Sequence, residues 1–203
     1  MRREESAALV KADTLADEVL RRVAPLTFSV ARSPSELEAV YRLRYAVVID
    51  QKWARPEDFP DGLERDAFDD RALQIAGWDG PELVGTTRLV LRELRLRLPA
   101  EEAFDLEIAS HGRVIDMGRT CRAPGRNDLG QRILWGLLAR SWLELRSRGF
   151  TEICGLISPA MIRLYQRLGF RVEVLGEARF YWGEPRHPGL VRPVESIDEL
   201  RWS

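Results

Sequence analysis

The chain has 203 residues, 45% of them hydrophobic, which suits one domain with a sizeable core or a domain with an extension. Its formal net charge of −1 argues against general nucleic-acid binding. No apolar run reaches the roughly 20 residues that cross a bilayer, and Arg2 and Arg3 sit beside acids with no apolar segment after them, so neither a membrane span nor a signal peptide is expected.

Residues 4 to 23 place Ala8, Leu9, Leu15, Val19, Leu20 and Val23 along one stripe, which predicts an amphipathic helix. We take residues 1–24 as a helical extension and 25–203 as the main domain. A strand over residues 26–31 follows. Ser33-Pro34-Ser35-Glu36 then has the pattern of a capping box with proline at the first helical position, so a helix should run from there to about Val48. The stretch from Asp50 to Asp70 holds Pro56, Pro60 and Gly62 and is long for a structureless connection. Strands are expected over 72–78 and 83–92 around the turn Asp79-Gly80-Pro81-Glu82, with a short helix over 99–109 and a strand over 113–119 bulged at Gly118.

From Leu129 to Leu145 the apolar spacing is helical, ending before Gly149. A short strand over 153–157, a helix from Ser158-Pro159 to Leu168-Gly169, strands over 170–175 and 180–182, and a partly irregular tail from Arg186 complete the chain. This order predicts an α/β (α+β) domain on one mixed, mostly antiparallel twisted sheet with helices on both faces. A parallel strand pair in the second half would leave a helix N-terminus beside an open strand end, a natural ligand site.

Four carboxylates fall within seven residues, Glu64, Asp66, Asp69 and Asp70. Such a group either stays in water as a solvated loop or meets cations. All but two of the 31 basic residues are arginine, the exceptions being Lys11 and Lys52. Cys121 and Cys154 form neither a disulfide framework nor a metal-ligand spacing, so no metal and a reducing, cytoplasmic setting are expected. His111 and His187 are isolated in sequence, and no histidine motif supports Cys121 as a nucleophile.

The segment Ser158 to Phe170 contains Leu164-Tyr165-Gln166-Arg167-Leu168-Gly169-Phe170 and resembles the helix-to-strand segment of GNAT-superfamily acyltransferases. The resemblance implies that Tyr165 faces the sulfur of a thioester and protonates the departing thiolate; packing beneath the sheet is the other reading of that side chain. The loop in which that superfamily cradles the coenzyme A pyrophosphate is represented by Arg122-Ala123-Pro124-Gly125-Arg126-Asn127, with its second small residue missing. Arg122, Gly125 and Arg126 are its candidate donor-binding residues. The incomplete loop suits a donor on an acyl carrier protein better than free acyl-CoA.

In order and approximate spacing, Arg44, Trp53, Glu64, Asp66, Asp69 and Arg88 resemble the motif residues of acyl-homoserine-lactone synthases, and Asp116-Met117-Gly118-Arg119 resembles their Glu-x-x-Arg strand. The loop Phe59 to Asp66 and Pro185-Arg186-His187-Pro188 resemble a sister group, the exosortase-associated acyltransferases, which are similar to long-chain N-acyl amino acid synthases. The resemblance covers roughly Leu26 to Val194. It implies a GNAT-like fold and N-acyl transfer from a thioester to a small amine acceptor, with S-adenosylmethionine or a free amino acid as that acceptor and no tightly bound cofactor. By the same resemblance Arg44, Asp66, Asp69, Arg88 and Arg119 bind or order the acceptor site, and Glu64 or Asp116 relays the amine proton; Trp53 either walls the acceptor or acyl pocket or is a core anchor. The pairs alternatively serve only to tie the loop down. Arginines flanking or along the long helix (Arg122, Arg126, Arg132, Arg140, Arg146, Arg148) either dock the carrier protein or form a solvated face. A coenzyme A-dependent acetyltransferase of another amine, and a binding domain without catalysis, are the competing readings. Oligomeric state and acyl chain length are not specified by these patterns.

Overall fold

The computed structural model describes residues 2–93, 96–108 and 113–200, so His111 lies outside the described residues. Helix α1 (Arg2–Arg22) leads into strand β1 (Thr27–Ala31) and helix α2 (Pro34–Asp50). Ser33 caps α2 as expected: its hydroxyl accepts from the Glu36 N–H (3.2 Å), and the Glu36 carboxylate accepts from the Ser33 N–H (2.9 Å). The hairpin β2 (Ala72–Asp79) and β3 (Glu82–Val90) follows, then a short helix α3 (Pro99–Phe104) and β4 (Val114–Arg122). The long helix α4 (Gly130–Ser147), β5 (Glu152–Ile157), α5 (Pro159–Arg167), β6 (Val172–Val174), β7 (Arg179–Tyr181) and β8 (Glu184–Val191) complete the order.

The strands form one sheet in the order β1-β2-β3-β4-β5-β8-β6, with β7 paired to β8. Among the described residues only β4 and β5 are parallel, and they pair over three residues each, Val114–Asp116 against Glu152–Cys154. Beyond that point the two strands no longer pair with each other, β4 staying with β3 and β5 with β8, so the sheet divides there. Gly155 sits at the fork: a Cβ on it would lie 2.5 Å from the Met117 carbonyl oxygen, so only glycine lets the two backbones stay this close before they part.

Strand alternation sends Ile75, Leu89 and Ile115 to one face, where they pack with Ile133, Leu137 and Leu145 of α4 and with Val19 of α1. Helix α1, ahead of the main domain in sequence, is thus part of the largest core cluster. The other face takes α2, through Val40 against Ala31 and Ala76, and α3, through Ala100 beside Val90 and Val114.

The tail departs from expectation. Residues 184–191 form a strand between β5 and β6 rather than an irregular segment. Pro185 and Pro188, which lack an N–H, disguised it. Pro188 keeps its place because its carbonyl still accepts from the Leu175 N–H (2.8 Å).

Candidate active site

Three arginines and three carboxylates close into a ring in which charges alternate. Arg44 projects from the buried face of α2 and donates through Nε to Glu64, and through Nη1 and Nη2 to the two oxygens of Asp69 (2.7 and 3.1 Å). Glu64 accepts from Arg119 Nε (3.0 Å), and Arg119 Nη2 donates to Asp66 (3.1 Å). Asp66 accepts from Arg88 Nη1 (2.6 Å), which lies 3.3 Å from Asp69 and completes the circuit. Gln74 and the Asp66 N–H also donate to Asp69 (both 2.8 Å). Arg44, Glu64 and Arg88 are each at most 2% exposed. Buried charges are tolerable only when paired and hydrogen-bonded, and here each charge has two partners of opposite sign.

The pKa directions follow from this pairing. Burial pushes the Asp69 carboxyl up, but hydrogen bonds and charge from Arg44, with Arg88 behind it, outweigh that and hold it below the usual carboxylate range. Burial lowers the Arg44 guanidinium, and Asp69 and Glu64 more than reverse it.

Arg119 reaches the ring through a bulge. Thr86 pairs with Cys121 and Arg88 with Gly118, so Arg119 and Thr120 together oppose Thr87. Plain alternation would set Arg119 on the face of Met117, away from Arg88. The extra residue turns its side chain to the ring side, and Arg119 takes a left-handed backbone (φ 55°) to do so. The bulge predicted at Gly118 therefore exists, but Arg119 carries its strain.

Beside the ring opens a cavity of about 300 Å³. It passes through the fork of β4 and β5: Val47 and Val48 of α2 line it from one face of the sheet, and Leu138, Ala139 and Trp142 of α4 from the other. Of the ring residues, Arg44, Glu64 and Arg119 reach its wall. Trp53 and Tyr165 also line it, as do Thr120, Cys121 and Ser158. Ser158 begins α5 by accepting from the Met161 N–H (3.4 Å), which fixes the helix that carries Tyr165. Tyr165 packs edge-on to Phe170 at 5.9 Å, and burial pushes its phenol up to about 12, so it stays protonated at neutral pH. Burial also pushes the Cys121 thiol to about 12, which is unfit for a thiolate nucleophile.

A second charged group, which the sequence analysis did not assign to the site, completes the mouth. The β7–β8 turn is Trp182-Gly183, both with positive φ (50° and 73°), a two-residue hairpin turn. Trp182 stacks on Phe59 of the long loop (6.4 Å, 22° between rings), and the Arg119 guanidinium lies 4.2 Å over the Trp182 ring. Trp53 packs against Gly183 so closely that a Cβ there would lie 2.0 Å from the indole. Arg186 lies 5.2 Å over the Trp53 ring and pairs with Glu184 at 2.9 Å. Its Nε is buried with no hydrogen-bond partner, and burial lowers its pKa. Arg186, Glu184 and Trp182 all line the cavity. The Pro185-Arg186-His187-Pro188 sequence was the available signal, read above only as a likeness.

Other candidates fall elsewhere. Asp116 is buried beneath α3, where it accepts from the Ala100 N–H (2.9 Å), and it is not among the cavity-lining residues. Burial pushes its carboxyl up to about 6 against the opposing pull of that N–H and of Arg88 and Arg119. Arg122, Gly125 and Arg126 do not line the cavity either. Arg126 is tied to Asp79 and Glu82 of the β2–β3 turn, and Arg122 to Asn127. Along α4, Arg132 donates to the carbonyls of Val23 and Ala24, Arg140 and Arg148 pair with Glu144, and Arg146 pairs with Asp13. His187 meets the Gly176 carbonyl oxygen at 3.0 Å. No helix among the described residues is long and apolar enough to cross a membrane.

A family model described as N-acyl amino acid synthase FeeM matches residues 39–188. Among solved structures, the fold is similar to that of TofI in a ternary complex with an inhibitor and MTA (TM-score 0.65, 21% identity, covering 85% of this chain and 96% of that one). It is also similar to FeeM, an N-acyl amino acid synthase from uncultured soil microbes (TM-score 0.65, 18% identity, 86% and 94% covered). A third is BjaI, a CoA-dependent acyl-homoserine lactone synthase with SAM and isopentyl-CoA (TM-score 0.62, 19% identity, 80% and 78% covered). A search of curated protein sequences finds no match.

Proposed function

The chain belongs to the FeeM family of N-acyl amino acid synthases, and from that premise we propose how its cavity divides the work of the reaction. The reaction moves a fatty acyl group from a thioester to the amine of a small acceptor, giving an N-acyl amino acid or an acyl-homoserine lactone. The observation that carries the proposal is that a protonated tyrosine, a closed charge ring and an apolar chamber meet in one cavity.

The acyl tail lies in the apolar part, with its thioester at the fork of β4 and β5. Tyr165 is the general acid: a phenol held protonated by burial gives its proton to the thiolate as the C–S bond breaks. The acceptor enters beside the ring. Its carboxylate meets Arg186, a cavity-lining guanidinium that pairs with Glu184 through one Nη and can donate to a carboxylate from its remaining N–H groups. Glu64 reaches the same wall and takes the amine proton through water, whereas Asp116 has no path to the cavity. Asp66, Asp69, Arg88 and Arg44 then act indirectly, by fixing Glu64 and Arg119 in place. The tethered arginines of the Arg122–Asn127 loop favour a donor on a carrier protein over free coenzyme A, and the two unpaired cysteines suit a cytoplasmic setting.

The test is thiol release from acyl-loaded carrier protein and from matched acyl-CoA, each offered free amino acids or S-adenosylmethionine, with products identified by mass. Release from carrier-borne donor with a free amino acid is expected. Release only with S-adenosylmethionine would change the acceptor, release only from acetyl-CoA would change the enzyme class, and no release would remove the function.

A further inference from the structure

The ring closes the polar end of the cavity, so a chain entering from the fork can extend only toward α1, α4 and the C-terminal segment. There the wall is carbon: Ala12 and Ala16 of α1, Leu138 and Trp142 of α4, and Ile197 and Leu200 beyond β8. Ala12 and Ala16 are one helical turn apart on a single face of α1, so each stands where a larger side chain would fill cavity space. Both alanines, and the Ile197 and Leu200 they face, lie outside residues 39–188, the part matched by the family model.

Helix α1 is also held in register. Asp13, next to Ala12, accepts from the Trp142 indole N–H (2.8 Å) and from Arg146 Nε (3.2 Å). Lys11 pairs with Asp198, which joins α1 to the C-terminal segment. The residue that anchors α1 therefore bonds to a cavity-lining tryptophan. A longer chain cannot slide α1 aside without breaking these contacts.

We infer that α1 is the floor of the acyl-chain site and that Ala12, Ala16 and Leu15, which lines the same cavity, set the length of fatty acyl chain it takes. This rests on the acyl-transfer reading for its ligand, but its test does not require turnover. Binding of S-alkyl pantetheine thioethers, graded from hexyl to hexadecyl, is measured on the full chain. Affinity should rise about fourfold with each methylene until the floor is met and then flatten.

Ala16→Leu should move that break to chains about three methylenes shorter, matching the carbons added. Leu15→Ala should move it to longer chains, which guards against an Ala16 variant that fails to fold. Val10→Ser, on the exposed side of α1, should leave it in place. A break that stays put in both cavity variants, or a wild-type protein with no length dependence, overturns the inference. Shifted breaks in a protein that transfers no acyl group from any donor would keep the floor and remove the transfer reading instead.

Discussion

The two ends of the cavity are built on opposite principles. At one end six charged groups satisfy one another, and their energy lies in geometry: two partners of opposite sign for each charge. At the other, alanine, leucine, isoleucine and tryptophan offer only shape. An ion-pair ring fails sharply when one member is removed, because its two neighbours are left buried with half their charge partners gone, whereas an apolar wall yields gradually with volume. Between the two ends lies Tyr165, whose phenol belongs to neither and is kept protonated by its burial.

The comparison breaks most visibly at Arg44. Arg44→Ala strands Glu64 and Asp69 in the interior, and we expect about 3–5 kcal/mol lost in denaturant unfolding, with activity lost alongside. At the mouth, Arg186→Ala removes no ring member. It should raise KM for the amino acid acceptor about 10- to 100-fold, as loss of a charge-assisted hydrogen bond does, and leave KM for the thioester unchanged. Arg186→Lys should restore part of it.

Asp116 separates burial from pairing. Its folded carboxyl holds a proton to about pH 6, while the unfolded chain releases it near pH 4. The native state thus binds the extra proton in that window, and this group's contribution to stability falls as pH rises through it. Asp116→Asn should abolish that slope, so wild type loses stability relative to the variant between about pH 4 and 6, by up to roughly 3 kcal/mol, in paired denaturation curves. The smallest effect belongs to the exposed Arg42–Glu38 pair on α2: Arg42→Ala should change unfolding free energy by less than about 0.5 kcal/mol and activity not at all.

Local chemistry made much of this legible in the sequence. The Ser33–Glu36 capping box, the Asp79–Glu82 turn and the 3.6-residue stripe of α4 each specify an element without tertiary help, and the order of elements then implies the mixed sheet. The ring members were identifiable as residues but not as a ring, because closure depends on the Arg119 bulge and on a loop folding back to Arg88, both contacts at long sequence separation. Arg186 was hidden by the prolines that hid β8. The stripe of α1 announced an amphipathic helix, but a stripe does not name its partner. That it walls the cavity with Ala12 and Ala16 is a property of packing against α4. Asp116 shows what the motif alone leaves out: its place in an Asp-x-x-Arg strand suggested chemistry, and alternation and the start of α3 put its carboxylate beneath that helix as a backbone acceptor.

The proposed reaction turns on the phenol of Tyr165 protonating the leaving thiolate. The most direct test is single-turnover acyl transfer by wild type and Tyr165→Phe with donors whose leaving thiols range from alkyl to nitrophenyl. General-acid catalysis predicts a deficit of about 10²- to 10⁴-fold in the variant with alkyl thioesters, shrinking as the thiol becomes acidic enough to leave without a proton. A deficit of the same size across the whole series, or none with any donor, would contradict it.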